Sequence, residues 1–295
     1  MNRGLLYGIT AYLLWGLLPL YWRALKEVPA LEILSHRVIW SFVLGVVLLS
    51  AQRNWKWVKQ LAHRPIAAIF LVIAALLLAV NWLTYIWAIN AGFVVESSLG
   101  YFINPLVNVL LGVIVLHERL RFGQWIAIAV AASGVLYLTV SVGSLPWIGL
   151  TLAFTFGFYA LIKKKVQIPT IEGYSVEMAA LTLPAIGYLL WLGSSDQQSF
   201  AQGNPAISLL LIGSGLITAV PLLCFSAAAR RLPLSTLGLL QYMAPTMQFI
   251  LGVTVFGEVL TEARIIGFSI IWAALIIYSL EGVLARRRRI QAQYV

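Results

Sequence analysis

Charge is what this sequence has least of. Asp, Glu, Lys and Arg make up 10% of its 295 residues, where an ordinary soluble domain carries about 25%. Hydrophobic residues reach 61%, so there are too few polar side chains to cover a soluble fold of this size. A disordered chain, a collagen-like chain and a disulfide scaffold are excluded by the same composition. Cysteine is all but missing. Cys224 is the only one, so no bridge forms within the chain, and one thiol alone builds no zinc or iron–sulfur site. The three histidines, His36, His63 and His117, stand far apart, and no Gly-Lys-Ser/Thr loop is present to cradle a phosphate. ATP hydrolysis is therefore excluded as a drive, and neither an enzyme centre nor a cofactor nor a metal is expected.

Long apolar runs fill the chain instead. A bilayer core about 30 Å thick needs roughly 20 apolar residues per helix. Ten such segments are expected, at about 4–25, 29–50, 65–90, 94–116, 123–142, 146–163, 174–193, 206–229, 235–256 and 263–284. The connections are short and leave no room for a soluble domain. The first segment follows Met1-Asn2-Arg3 with no small-residue cleavage site behind it, and reads as a retained helix rather than a signal peptide. The expected fold class is an all-α integral membrane protein with ten transmembrane helices.

The net charge of +10 invites a nucleic-acid reading, and the positions of the bases decide against it. With the N-terminus in the cytoplasm, sixteen of twenty bases fall on the cytoplasmic side, leaving Arg23, Lys26, Arg37 and Arg264 opposite. That asymmetry predicts both termini inside. The run Arg286–Arg289 reads as a stop signal beside anionic lipid, not as a nucleic-acid site. The expected partners are the bilayer and a small-molecule substrate, with no nucleic acid and an oligomeric state the residues leave open.

Sliding the chain over itself by about 140 residues brings its halves into register. Pro29, Glu32 and Ser35 meet Pro169, Glu172 and Ser175. Pro105, Leu111, Gly112 and Glu118 meet Pro245, Leu251, Gly252 and Glu258, and one residue further on Gly8 and Gly16 meet Gly149 and Gly157. Two five-helix units are expected, 1–143 and 144–295. Five is odd, so the second unit enters the membrane from the opposite side. Inverted repeats of this kind are the architecture of many secondary transporters, with the substrate between the halves near the midplane.

Several stretches carry a resemblance: Trp15-Gly16-Leu17-Leu18-Pro19-Leu20-Tyr21-Trp22, Glu32-Ile33-Leu34-Ser35-His36-Arg37, Asn81-Trp82, Tyr85-Ile86-Trp87-Ala88, Ser98 to Leu106, Gln241-Tyr242, and Ala244-Pro245-Thr246 with Glu258. Through them the chain resembles the drug/metabolite transporters with two EamA-type repeats, and within these the RarD proteins, over about residues 3–283. The resemblance implies a ten-helix permease of the cytoplasmic (inner) membrane with both termini inside. It also implies a central cavity lined by helices one, three, four, six, eight and nine. RarD proteins look like chloramphenicol-resistance permeases by name, and related members export amino acids or other metabolites. A small organic solute moved by alternating access is the expected activity, with a passive channel or a scaffold without transport as alternatives.

Ionisable groups inside a bilayer are costly and mark function by default. Glu32 and His36 share one face of the second helix at i, i+4. A carboxylate beside an imidazole suits a proton relay, joined by Arg37. The alternative is an interfacial polar cluster with Arg37 snorkelling to headgroups. Glu32 and Glu172 also sit three residues after a proline, where a carboxylate favours a helix start. Glu118 and Glu258 close the fourth and ninth segments and are poor candidates for substrate contact.

Tyr101, Asn104 and Asn108 form a stripe on one face of the fourth helix. One repeat on stand Gln241, Ala244 and Gln248. Such uncharged polar groups face either protein or a wet cavity. With Asn81, Tyr85, Trp15, Phe156, Tyr159 and Tyr242 they make the candidate binding surface. Pro105 and Pro245 are candidate hinges, since each frees a backbone carbonyl in mid-helix.

Overall fold

A computed structural model gives the structure of the protein. It describes residues 3–291 except 54, 56, 58–60, 91–93, 143–146, 167, 196, 203 and 256–260. The side chains of 89, 90, 94–99, 142, 252, 264, 283 and 285–291 also lie outside the description. Among the described residues there is no strand. In chain order the helices are α1 (Arg3–Arg23), α2 (Ala30–Ala51), α3 (Pro65–Asn90), α4 (Val94–Leu116), α5 (Phe122–Val142) and α6 (Trp147–Lys165). There follow α7 (Thr170–Ser194), α8 (Pro205–Ala229), α9 (Leu234–Gln241), α10 (Met243–Thr254) and α11 (Glu262–Gln291). Seven of them are long and apolar enough to cross a membrane, and α4 holds a further, shorter apolar helix over Gly100–Leu116.

Helix is the form these segments must take. Hydrocarbon offers no partner for a backbone N–H or C=O, so each bond has to close within the segment. Proline marks the starts, at Pro29 and Pro169 before α2 and α7 and at the first residue of α3 and α8. Asn204 caps α8 by accepting from the Ala206 N–H at 3.0 Å. The start of α9 is capped from another helix. Glu118, just past α4, accepts from the backbone N–H groups of Leu234 (2.6 Å) and Ser235 (3.0 Å) and from the Ser235 hydroxyl (2.6 Å).

Where one segment was expected at 235–256, the structure has two helices that meet at Tyr242. The cause is Pro245, which has no N–H to give the Gln241 carbonyl and whose ring crowds it. Pro105 stands at the corresponding place, yet α4 runs through it unbroken.

The largest interfaces each join a helix before residue 143 to one after it. These pair α4 with α6, α5 with α11, α2 with α7, α1 and α2 with α8, α4 with α9, α3 with α6, and α1 with α10. The halves are interleaved, and one buried cluster runs through both, from Ala11, Tyr12 and Val107 to Tyr159, Phe225 and Leu237. Without a hydrophobic drive between helices in lipid, close approach depends on small residues. A Cβ added at Gly16 would lie 2.6 Å from Met247 Cβ, and one at Gly157 2.7 Å from Val107 Cγ1.

Candidate functional site

Between the halves lies a cavity of about 920 Å³ of empty space, mouth included. It takes residues from the later half of α1 (Tyr12–Trp22), from α3 (Asn81, Trp82, Tyr85), and from the early halves of α2, α4 and α6. Short connections make consecutive helices alternate in direction, so these stretches share one end of the bundle. Thr218 and Leu222 of α8, Gln241 of α9 and Ala244 and Gln248 of α10 complete the lining. At the other end the space is filled by Tyr159 and Phe225, whose rings stack at 5.9 Å and 18°, and by a buried ion pair, Lys163 Nζ to Glu177 Oε1 at 2.7 Å. The Tyr159 hydroxyl donates to the other Glu177 oxygen at 3.3 Å.

Of the polar residues read from the sequence, Trp15, Asn81, Tyr85, Tyr101, Asn104, Gln241 and Gln248 line this cavity. Asn81 Nδ2 donates to the Leu152 carbonyl (2.9 Å) and Thr155 Oγ1 (3.0 Å), which ties α3 to α6. Gln248 Nε2 donates to the Trp15 carbonyl at 3.3 Å. Asn108, Tyr159 and Tyr242 do not line it. All three are fully buried behind its wall. Asn108 Nδ2 donates to Gln241 Oε1 (2.8 Å) and to Asn104 Oδ1 (3.3 Å), so it orients two amides that do face the cavity. Tyr242 donates its hydroxyl to the Phe102 carbonyl at 3.2 Å. The rings of Trp15, Phe156 and Phe225 meet at about 5.5 Å and make an apolar wall and floor.

The group of Glu32, His36 and Arg37 is divided. Glu32 Oε1 accepts from the backbone N–H groups of Ser199 (2.7 Å) and Phe200 (3.0 Å), holding the connection between α7 and α8 against the start of α2. The helix-starting reading is thus only part of its role, since the carboxylate serves a neighbouring segment. His36 Nδ1 accepts from Trp40 Nε1 at 3.3 Å, and its ring lies 4.7 Å from that of Phe200. Arg37 turns inward, against the snorkelling expected of it. It is 8% exposed and lines the cavity, with Nε donating to Thr218 Oγ1 at 3.0 Å. Its guanidinium carbon stands 4.7 Å from the Trp22 ring and 4.5 Å from the Trp82 ring.

Trp22, Trp82 and Thr218 were not singled out in the sequence. The available signal was an arginine within an apolar run, which must find compensation from some neighbour. The sequence could not say which. Glu258 and the Arg286–Arg289 side chains lie outside the described residues, and among the described residues no His/Cys/Asp/Glu cluster could hold a metal.

Apolar helices interleaved around a cavity of polar and aromatic side chains define a multi-pass membrane protein. The family comparisons name the class. Residues 2–140 match the EamA-like transporter family. The chain is 50% identical to Protein RarD of Streptomyces exfoliatus, over 97% of this chain and 91% of that protein. It is 45% identical to Protein RarD of Escherichia coli K12, over 97% of both. One solved crystal structure superposes with a TM-score of 0.71 at 19% identity, over 95% of this chain and 98% of the other, a likeness of fold. The chain belongs to the RarD family of the drug/metabolite transporters.

Proposed function

We propose that the protein is a secondary carrier that exports a small organic solute across the cytoplasmic membrane by alternating access, with both termini inside. Its ten membrane passes form two inverted five-helix repeats, 1–143 and 144–295. The observation that carries this reading is a polar and aromatic cavity between the halves, with a buried ion pair beside Tyr159. On this reading the end at Trp22 is open, the end at Lys163 is sealed, and the residues at the two ends are related by the repeat. Trp22 and Arg37 stand at the open end. Lys163 and Glu177, about 140 residues on, stand at the closed end. Exchanging the two seals would open the cavity to the other side. The interface pattern supports the repeat, because replacing each helix by its counterpart turns α4–α6 into α1–α10 and α1–α8 into α3–α6. The contact of Gly16 with Met247 likewise becomes that of Gly157 with Val107.

The chemistry of the cavity, with its amides, phenols and indoles and a single arginine, suits a small organic solute rather than a multiply charged nucleotide. Pro105 and the break before Pro245 are the places where α4 and the α9–α10 pair would bend. His36, beside Glu32 and away from the cavity, is the group through which a proton gradient would couple. Undiminished pH-driven transport by His36→Ala in everted vesicles would remove it from the mechanism.

Metabolite profiling of cells with and without the gene, followed by proteoliposome assays of the compounds that change, tests the function. Accumulation against a concentration gradient supports a carrier, and flux that only equilibrates makes the protein a passive facilitator. A single cysteine at position 200, in a Cys224→Ser background, tests the topology. It should react with an impermeant reagent from outside the cell, and reaction only from the cytoplasm would overturn the inverted arrangement.

A further inference from the structure

The feature that the carrier reading leaves unexplained is the charge of Arg37. A guanidinium withdrawn from water loses its hydration, and it persists only where partners replace the water. Here the partners are two indole rings and one hydroxyl. Cation–π contacts of this kind stabilise a desolvated cation, and the Thr218 hydroxyl takes Nε alone of the five N–H donors. No carboxylate lines the cavity among the described residues. The titratable neighbours that bear on Arg37 are the phenols of Tyr85, Tyr101 and Tyr174. The cavity therefore holds a net positive charge with no acid opposite it.

The rest of the wall has the same bias toward donors. Asn108 ties down the side-chain oxygens of Asn104 and Gln241. Those two amides keep their N–H groups for the cavity, and each oxygen keeps one lone pair. Tyr85 and Tyr101 hydrogen-bond each other, so that between them one phenolic O–H is left for the cavity. Opposite them lies the apolar wall of Trp15, Phe156 and Leu222.

We propose that Arg37 is the anchor for the carboxylate of the transported solute, and that the substrate class is a monocarboxylate with an aromatic or otherwise apolar body. The planar guanidinium, held by Trp22 and Trp82, presents its terminal N–H groups to the cavity as a fork that matches a carboxylate. A single cation accommodates a single negative charge, so a dianion is disfavoured. An amino acid would bring an ammonium group with no described acid to receive it. A neutral solute would leave the guanidinium unpaired. The inference rests on the carrier reading and names the solute that reading leaves open.

The test measures binding and transport separately. Purified protein in lipid nanodiscs is titrated calorimetrically with 3-phenylpropionate, its carboxamide, phenylalanine and phenylsuccinate. The monoanion should bind at least about tenfold more tightly than the other three, the scale of one buried charge-assisted hydrogen bond. Arg37→Gln should abolish that preference. Arg37→Lys, which keeps the charge and loses the fork, should retain part of it. Should Arg37→Gln fail to fold, the wild-type order of affinities and the Lys variant still decide the matter. Equal binding of acid and amide by the wild type, tighter binding of phenylalanine, or no binding of 3-phenylpropionate would overturn the proposal. Counterflow of the same compounds in proteoliposomes separates the two levels. Charge-selective binding without counterflow keeps the anion site and sinks the carrier, whereas counterflow indifferent to charge keeps the carrier and sinks the anion site.

Discussion

In the first half, Arg37 lies against the indoles of Trp22 and Trp82 in the wall of the cavity. In the second half, the residue one repeat on is Glu177, joined to Lys163 by a 2.7 Å ion pair beside the Tyr159 ring. Lys163 itself stands where the first half has Trp22. The two halves therefore share a packing scheme and divide the chemistry. One end keeps a cation available to a ligand, and the other spends its charges on each other. On the proposed carrier reading, perfectly symmetric halves would seal both ends alike. Unequal seals would then bias the molecule toward one opening, and a solute at Arg37 would shift that balance only by binding the two states differently.

The largest effect is expected from breaking the closed end. Glu177→Leu leaves the Lys163 ammonium buried without a counter-ion, and losses of about 3–5 kcal/mol are typical of such a change. Thermal unfolding in detergent should register a large drop in Tm. The double variant Lys163→Met/Glu177→Leu should recover most of it, because two apolar side chains of similar size need no pairing. A single variant as stable as wild type would show that the pair does not hold this end.

Next come the glycines that the halves use alike. Gly16→Ala and Gly157→Ala each place a methyl group within 2.6–2.7 Å of a neighbouring side chain. Overpacking of that order destabilises by about 1–3 kcal/mol. The two variants should lose similar stability in the same assay, and a wide gap between them would break the equivalence of the halves.

Asn104→Leu acts on the site rather than the scaffold. It removes hydrogen bonds at nearly constant volume, each of which contributes about 1 kcal/mol. Solute binding should weaken about five- to tenfold while expression and Tm stay close to wild type. Unchanged binding would place Asn104 among the bystanders of the cavity wall.

The smallest effect separates the prolines. Pro245→Ala restores the N–H that Gln241 O lacks and should raise stability by about 1 kcal/mol, with slower turnover if the break is a bending point. Pro105→Ala should do less, since α4 is already continuous there. Equal responses would mean that the break at Tyr242 has another cause.

Much of this molecule could be read from the chain before any coordinates. The helix ranges agree with the apolar runs to within a few residues, except at 235–256, where Pro245 splits the run, and at the end of α11, which continues past 284 to Gln291. The stripe through Tyr101 and Asn104 and its counterpart at Gln241 and Gln248 do meet at one cavity. Asn108 is on the same helical face as Asn104, yet it lies behind the wall. A face spans about a third of a helix, and only the neighbouring helix decides which part of it is covered. Tyr159 and Tyr242 are lost from the cavity for the same reason, the first covered by Phe225 and Glu177 and the second packed at Phe102.

By itself the sequence determined that the chain is helical and membrane-embedded, and it led to the proposal of an internal repeat. Those properties follow from local terms: the apolar run a bilayer requires, the backbone bonds hydrocarbon will not accept, and the spacing of prolines and glycines along the chain. Tertiary structure alone decided that Arg37 faces inward. The indoles that hold it come from α1 and α3, and the hydroxyl comes from α8, 181 positions away along the chain. It also decided that Lys163 is buried against Glu177, because the stability of a buried charge depends on what other helices bring to within a few ångströms of it.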